Sequence, residues 1–368
     1  MFKGKKSLGQ IKRWIPWMVT IAIVYYLVST TDIRRFLQVL QSLDPIAFFT
    51  VTLLGASCVY LTDSYCLKLL FGRFFGPVSY RDMLSVKGTS YFLNVVNYNA
   101  GAGAIAVFAS KKKGFGLIEA IGTLLYLSAM DMFALTLLSF LGLTLGPAVL
   151  DGAQKTGLLW VCLVMGLVLL GTIAFWVFRV PFLPNRIREY RIFFPFRTGK
   201  LSDYPFFIVL RGLFVCQYVV IHWAFLRVFG IPVPFVHLLV FVPIITFIGV
   251  LPISVAGLGT TQVAMRVFFS PYAPLAIITP LLIGAALIIP GTTEPGLGAA
   301  VSGVFQEGTA INQLERSHID AYSTATLIGM LFARISIGLV TVRGTLRDFK
   351  GQADSTVSSE ESTPASTD

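Results

Sequence analysis

The chain has 368 residues, of which 55% are hydrophobic and only 13% are charged. Soluble domains carry about 25% charged residues, so this composition and a mean hydropathy of +0.77 exclude an ordinary soluble protein and indicate an integral membrane protein. The net charge of +11 would suggest nucleic acid binding in a soluble protein. Lys and Arg beside membrane spans already serve topology and lipid headgroups, so we predict no nucleic acid partner.

Long apolar runs recur along the chain. Because a transmembrane helix needs about 20 mostly apolar residues, we predict an all-α polytopic integral membrane protein with about eight transmembrane helices in a single transmembrane domain, residues 14–350. The predicted spans are Trp14–Thr30, Ile46–Cys66, Leu117–Leu145, Gly157–Phe178, Pro205–Phe229, Phe235–Ile253, Ala273–Pro290 and Thr324–Val342.

The basic residues cluster on one side of the predicted spans. They lie in the segment 1–13, after the second span, and between the fourth and fifth spans. By the positive-inside rule these faces are cytoplasmic. The connection 291–321 is acidic on balance, so we predict it to be external and both termini to be cytoplasmic. The first run lacks a small-residue cleavage site and reads as a signal anchor, and the Ser/Thr-rich segment 351–368 is predicted to be a disordered cytoplasmic tail.

Two apolar segments, about residues 83–110 and 254–270, are interrupted by glycine and polar residues. We predict both to be re-entrant or broken helices, because backbone groups freed by a break must be buried in protein or line a wet cavity. The candidate binding residues in the first segment are Asn94, Asn97, Asn99, Gly101 and Gly103. Its glycines are explained equally well by close helix packing and by lining a substrate path.

The same glycines match a dinucleotide fingerprint, Gly-x-Gly-x-x-Ala, over residues 101–106. That motif requires a strand–helix–strand setting, and nothing around it suggests one. We therefore predict no nucleotide and no other cofactor.

The second broken segment has the form of a Pro-broken helix, a Gly-rich turn and a new helix start. The turn holds Gly257 and Gly259, and the new helix carries Thr260, Gln262 and Arg266. N–H groups at a helix start favour phosphate or carboxylate, so we predict a site for an anionic lipid headgroup here. In the alternative interpretation, a threonine caps a packed helix while the arginine side chain extends to the membrane interface.

Asp131 and Arg334 are the ionisable residues placed deepest in the predicted spans. A charge at the bilayer centre costs about 2.5–3.5 kcal/mol on insertion scales. We therefore predict that both side chains point into the helix bundle, where a direct pair between them is one way to lower the cost. Asp63 is interpreted as close enough to the cytoplasmic interface to be solvated.

No residue pattern is typical of a catalytic or metal site. The three histidines, His222, His237 and His318, form no HExxH spacing, and no Gly-x-Ser-x-Gly elbow is present. The four cysteines lie in apolar runs without a CxxC pair. We predict that the protein is not an enzyme and holds no metal.

The two broken segments also carry a family resemblance. The pattern Asn97-x-x-x-Gly101-x-Gly103, the basic run 111–113, the helix with Asp131, and the stretch Leu251-Pro252-Ile253-Ser254-x-x-Gly257-Leu258-Gly259-x-x-Gln262 resemble the lysylphosphatidylglycerol synthase transmembrane family, also called flippase-like. The resemblance covers about residues 10–270 and 322–348. The chain departs from it where the family carries charge, at Ala104, Val107 or Phe108, Leu127, Ser128 and Gln262, and it has an extra span and loop at about 271–321.

The resemblance implies a lipid flippase-like protein of a prokaryotic cytoplasmic membrane. Its substrate would be an anionic amphiphile, such as a phospholipid, a glycolipid or a polyprenyl-phosphate-linked substrate, which it binds and translocates or presents. The predicted binding residues are those of the two broken segments together with Asp131 and Arg334. The alternative is a non-transporting membrane scaffold for a lipid- or glycan-modifying partner enzyme, and a membrane-embedded lipid-modifying enzyme comes third.

Overall fold

The computed structural model describes residues 25, 26, 29, 32–96, 98–146, 152–178, 189–250, 259–273 and 316–342. These ranges are mostly helical and contain no strand. The prediction of an all-α polytopic membrane protein is confirmed.

The helices follow one another along the whole of the described chain. In order they are α1 (Ile33–Ser42), α2 (Pro45–Phe75), α3 (Tyr80–Val96), α4 (Tyr98–Lys113), α5 (Leu117–Leu145), α6 (Gly152–Val177), α7 (Phe194–Thr198), α8 (Asp203–Val228), α9 (Phe235–Val250), α10 (Thr260–Phe269) and α11 (Arg316–Val342). Helices α2, α5, α6, α8 and α11 are long and apolar enough to cross a membrane. Each coincides with a predicted span. The predicted spans Trp14–Thr30 and Ala273–Pro290 lie almost wholly outside the described residues.

Two helices extend by about two turns beyond the boundaries predicted from hydropathy. Helix α2 continues past Cys66 to Phe75, and α11 begins at Arg316 rather than near Thr324, so the end of the predicted connection 291–321 is helical. Both extensions contain charged residues that would end an apolar run, and in each of them one charge forms an ion pair with another helix. Arg73 binds Asp203, and Asp320 binds Arg266. A paired charge does not stop a helix.

The short apolar helices form two packed pairs. Helices α3 and α4 have 17 and 16 residues, are separated by residue 97, and pack against each other. This arrangement agrees with the broken helix predicted at 83–110. Helix α9 packs against α10 in the same way. Its described part has 16 residues, and the last three residues of the predicted span Phe235–Ile253 lie outside the described residues.

Close contacts divide the chain into two compact units. Unit 1 consists of Met1–Thr52, Met132–Val168 and Val215–Gly329, and unit 2 consists of Leu53–Asp131, Leu169–Phe214 and Met330–Asp368. The pair α9/α10 therefore belongs to unit 1, and the pair α3/α4 belongs to unit 2. Each unit contains one pair of short helices.

Aromatic rings hold the centre of unit 2. The buried ring of Tyr126 on α5 has four neighbouring rings, with centroids 5.1–5.9 Å away, from Phe74, Phe196, Tyr204 and Phe207. These rings come from α2, α7 and α8. The packing fixes α2, α5 and α8 relative to one another in this unit, and these helices carry three of the four charged side chains described next.

Candidate functional site

Four ionisable side chains from four helices meet inside unit 2. Lys87 Nζ on α3 lies 2.5 Å from Asp63 Oδ2 on α2. Arg211 on α8 donates from Nη1 to Asp63 Oδ1 at 2.9 Å, and from Nε to Oδ1 of Asp131 on α5. Arg211 therefore bridges two carboxylates. We call these four residues the charge cluster. When all four side chains are ionised, their formal charges sum to zero.

The members of the charge cluster differ in exposure. The Arg211 side chain is 7% exposed, Asp63 11% and Lys87 15%, whereas Asp131 is 28% exposed. Buried charges are expensive unless they are paired and hydrogen-bonded, which explains why the three least exposed members hold one another. Among the described residues, Arg211 is the one hydrogen-bond donor to Asp131. Asp131 is therefore the member that a ligand reaches most easily.

The charge cluster lies well inside the spanning helices. Two other ion pairs of unit 2 mark the helix ends: Arg73 binds Asp203 through two hydrogen bonds of 2.8 and 2.7 Å, and Arg191 binds Glu119 at 2.5 Å. Measured along α8 and α5 at 1.5 Å per residue, the charge cluster is about 12 to 18 Å from these end pairs. Interfacial solvation therefore does not account for it.

Aromatic rings lie beside the cations of the charge cluster. The Arg211 guanidinium carbon is 4.1 Å from the ring centroid of Phe214. The Tyr91 ring is 5.2 Å from Lys87 Nζ and 5.6 Å from the guanidinium carbon of Arg334 on α11. These are cation–π distances. Arg334 thus lies near the charge cluster as an inward-facing residue, but the partner of Asp131 is Arg211, and the direct Asp131–Arg334 pair is not formed.

Sequence reasoning missed three of the four members. Asp63 was interpreted as solvated near the interface, and this is wrong. The whole residue, backbone included, is 8% exposed, and its carboxylate binds both Lys87 and Arg211. Lys87 was counted only as a topological charge, and Arg211 was not singled out. A usable signal was present: Asp63 and Arg211 each lie within a predicted span, and such charges tend to pair across helices.

The headgroup site predicted in unit 1 has a different local structure. Gln262 Oε1 accepts hydrogen bonds from the Gly259 backbone N–H at 2.7 Å and from the Thr261 hydroxyl at 3.0 Å, so Gln262 caps α10. Gly259 has φ +88°, a left-handed conformation that suits glycine. Thr260 is the first residue of α10. The cap accounts for Gln262 without a ligand.

Arg266 has a buried carboxylate partner. Its Nε and Nη2 donate to Oδ1 and Oδ2 of Asp320 on α11 at 3.0 and 2.5 Å, and the two side chains are 7% and 8% exposed. The alternative in which Arg266 extends to the membrane interface is therefore wrong. Sequence reasoning assigned Asp320 to the external connection and did not anticipate this pair. Binding of a headgroup at the start of α10 stays a prediction.

The remaining predicted site residues are only partly described. Asn97 and Gly257 lie outside the described residues, as do the side chains of Asn94 and Asn99. Gly101 is buried on α4. A Cβ at Gly103 would meet no described atom within 4 Å. Over the described ranges, no group of three His, Cys, Asp or Glu residues is placed to hold a metal ion.

The helices and the charge cluster define an all-α polytopic membrane protein with ion pairs inside its spans. The family model for the lysylphosphatidylglycerol synthase TM region matches residues 13–292, which is more than half of the chain. The chain belongs to this family, as the sequence resemblance indicated, and it is thus a membrane protein related to lipid metabolism. No curated protein and no solved structure matches the chain.

Proposed function

We propose that this protein binds an anionic amphiphile through its headgroup and moves it between the two leaflets of the cytoplasmic membrane. The observation that carries the proposal is the Arg211–Asp131 pair, which lies deep in the spanning helices and has one partly exposed member. Ionisable residues at such depth are rare and usually face a polar pathway or a partner. Membership of a lipid-related membrane family supports the same conclusion.

The two pairs of short helices also support a transport function. Many transporters bind substrate where interrupted helices occur in corresponding positions of two halves of the chain. Here α3/α4 provides such a pair in unit 2 and α9/α10 in unit 1. Under this proposal each pair is re-entrant, and α3/α4 borders the headgroup path in unit 2, as its predicted Asn and Gly residues imply.

The chemistry of Arg211 suits a phosphate-bearing headgroup. A guanidinium presents a planar fork of N–H donors that matches two oxygens of a phosphodiester, and such charge-assisted bonds are about twice as strong as neutral ones. Lys87 supplies a second positive charge from the opposite side of Asp63. The acyl chains stay in lipid while the head passes the cluster. No step requires catalysis, so we propose that the protein is not an enzyme.

Reconstitution tests this function directly. The full chain is placed in vesicles with fluorescent phosphatidylglycerol or fluorescent phosphatidylcholine in the inner and outer leaflets, and chemical quenching reports exchange between them. We expect the protein to accelerate exchange of the anionic lipid, and Arg211→Gln to slow it by about tenfold or more through loss of a charge-assisted bond. Arg191→Gln removes an arginine of the helix-end pairs, whose side chain is 67% exposed, and should behave like the unchanged protein.

Two results would overturn the proposal. One is that the unchanged protein does not accelerate the exchange of phosphatidylglycerol between the leaflets. The other is an equal effect of Arg211→Gln on the anionic and the zwitterionic lipid, because a headgroup site must distinguish their charges.

One observation favours the scaffold alternative, in which a lipid- or glycan-modifying enzyme docks on this protein. Only 6% of the most apolar stretch of α6 is buried, which is the lowest value among the described spans. A photocrosslinking residue at Leu167, which is 61% exposed, should give a discrete protein adduct in native membranes if α6 packs against a partner. If lipid alone covers α6, the label should yield only lipid adducts.

A further inference from the structure

We propose that the headgroup phosphate replaces the Asp131 carboxylate on Arg211, and that Asp131 takes up one proton as it is displaced. The protein would then bind and move its anionic lipid together with a proton. This inference rests on the proposed function and names its coupling ion.

Counted over its four members, the charge cluster needs one proton when the ligand arrives; the neighbouring guanidinium of Arg334 lies at the Tyr91 ring, 5.6 Å from its centroid, and is counted outside the cluster. Lys87 and Arg211 are balanced by Asp63 and Asp131, and the sum is zero before the ligand arrives. A monoanionic phosphodiester adds one negative charge in a medium where an uncompensated charge is expensive. One proton on Asp131 restores the zero sum. The other carboxylate, Asp63, would have to give up its ion pairs with both Lys87 and Arg211 in order to take up this proton.

The geometry singles out Asp131 as the exchangeable carboxylate. Asp63 binds both Lys87 and Arg211 and is 11% exposed, whereas Asp131 binds Arg211 alone and is 28% exposed. Arg211 keeps its place when Asp131 leaves, because Nη1 remains on Asp63 and the Phe214 ring lies 4.1 Å from the guanidinium carbon. The displaced hydrogen bond is the one from Arg211 Nε–H to Asp131, and a phosphate oxygen then accepts a hydrogen bond from this Nε–H group.

The titratable groups around Asp131 come from three helices. Arg211 on α8 binds it directly, and Asp63 on α2 and Lys87 on α3 act on it electrostatically through the same cluster. The Cys66 thiol on α2 lies beside Arg211 and close enough to interact with Asp131. Arg211 and Lys87 favour the carboxylate, while Asp63 and the low-dielectric surroundings favour the acid. When Arg211 is taken by the phosphate, the balance shifts toward the acid.

The exchange is balanced in atoms and charge. The hydrogen bond from Arg211 Nε–H to Asp131 breaks and a hydrogen bond from Nε–H to the phosphate oxygen forms. A hydronium ion or a buffer acid from the solution gives its proton to Asp131, which forms an O–H bond, and leaves water or the buffer base behind. Release of the headgroup on the other side of the membrane reverses each step. One proton therefore accompanies each monoanionic lipid, and the transfer is electrically neutral.

A binding titration tests the inference without a transport assay. The full chain in detergent is titrated with dioctanoyl phosphatidylglycerol at several values between about pH 5 and pH 9, where this phosphodiester stays singly charged. Binding of each lipid is accompanied by uptake of one proton on Asp131. The Kd for the lipid should therefore rise by up to about tenfold for each unit of increase in pH, over the range in which Asp131 is ionised in the lipid-free protein. In weakly buffered solution, the protein should also take up close to one proton from the solution for each lipid bound, which is measured as a rise in pH.

Four control titrations accompany the test. Asp131→Asn should bind the lipid with no pH dependence, while Asp44→Asn, which changes an exposed helix-capping carboxylate, should keep the full dependence. The Kd for dioctanoyl phosphatidylcholine should not depend on pH, whether the unchanged protein, Asp131→Asn or Asp44→Asn is titrated. Glycerophosphoglycerol, the same phosphodiester without acyl chains, distinguishes a lipid headgroup from a free phosphodiester.

The outcomes separate this inference from the proposed function. If phosphatidylglycerol binds the unchanged protein with no pH dependence and no proton uptake, the inference is overturned while the lipid function stands. The same holds if Asp131→Asn retains the dependence. If phosphatidylglycerol does not bind at any pH, the proposed function itself fails. Proton uptake by the unchanged protein decides the matter even if Asp131→Asn does not fold.

Discussion

Asp63 and Asp131 carry the same charge inside spanning helices, but different numbers of cations hold them. Replacing Asp63 by Asn leaves Lys87 and Arg211 without the carboxylate between them, and breaking a buried pair costs on the order of 3–5 kcal/mol. Asp131→Asn leaves Arg211 still bound to Asp63. We therefore expect Asp63→Asn to lower the melting temperature of the detergent-solubilised protein well below that of Asp131→Asn. The reverse order would show that Asp131 is the structural carboxylate.

Arg266 and Asp320 offer a second test at the residue scale. Each is buried, and each satisfies the other through two hydrogen bonds. Arg266→Gln or Asp320→Asn alone leaves a buried charge without its counter-charge, whereas the double variant removes both charges. We expect the double variant to lose less unfolding free energy than the sum of the two single losses, measured by denaturant unfolding. Additive losses would mean that the two side chains do not depend on each other.

The candidate site was only partly predictable from these residues. Asp131 and Arg334 were identified correctly as inward-facing because each lies in the middle of an apolar run, which is a property of the sequence alone. The partners Asp63, Lys87 and Arg211 were missed because pairing depends on which helices pack together and at which height. Asp320 was missed for a related reason: without Arg266 beside it, a carboxylate at that position looks like part of a solvated loop.

At the scale of elements, the close approach of α5 to the segment Arg191–Phe193 depends on one glycine. A Cβ at Gly122 would collide with the backbone carbonyl oxygen of Ile192, which cannot rotate away as a side chain can. Gly122→Ala should therefore destabilise the protein, although alanine is the better helix former by about 1 kcal/mol. Gly171→Ala on α6, where a Cβ would meet nothing within 4 Å, is the matched control and should be neutral or stabilising in thermal unfolding. Equal effects of both changes would contradict this packing.

Helix α1 separates its polar and apolar residues cleanly. Arg34, Arg35, Gln38 and Gln41 fall on one side, while Ile33 and Leu37 on the other side are 58% and 49% exposed. A short helix with this pattern lies in the membrane interface with its apolar side in the acyl region. An environment-sensitive fluorophore on a single cysteine should show blue-shifted emission at Leu37 relative to Gln38 in vesicles. Indistinguishable spectra at the two positions would mean that α1 does not lie on the bilayer.

The spanning helices were the most predictable part of the fold. Helices α2, α5, α6, α8 and α11 are each apolar along most of their length, so their own composition predicts them. The end of the predicted span Phe235–Ile253 lies outside the described residues. The packing of α9 against α10 is a tertiary contact that no local pattern encodes.

At the scale of the whole molecule, the position of the basic residues makes a prediction about orientation. Arg73 at the end of α2 and Lys200 just before α8 belong to the basic face that the positive-inside rule assigns to the cytoplasm. The acidic connection 291–321 is assigned to the opposite side. The rule then predicts that Thr198 on α7 faces the cytoplasm and that Thr293, which lies outside the described residues, faces the exterior.

Cysteine accessibility measures this orientation. Single cysteines replace Thr198 or Thr293 in a background in which Cys58, Cys66, Cys162 and Cys216 are changed to Ala, and intact cells are treated with a membrane-impermeant maleimide. We expect Thr293→Cys to react in intact cells and Thr198→Cys, an exposed position, to react only after the membrane is opened. The cysteine-free background is the control for unspecific labelling. If both cysteines react from the same side, the predicted topology is wrong, and the positive charges at the ends of α2 and α8 must then serve lipid headgroups rather than orientation.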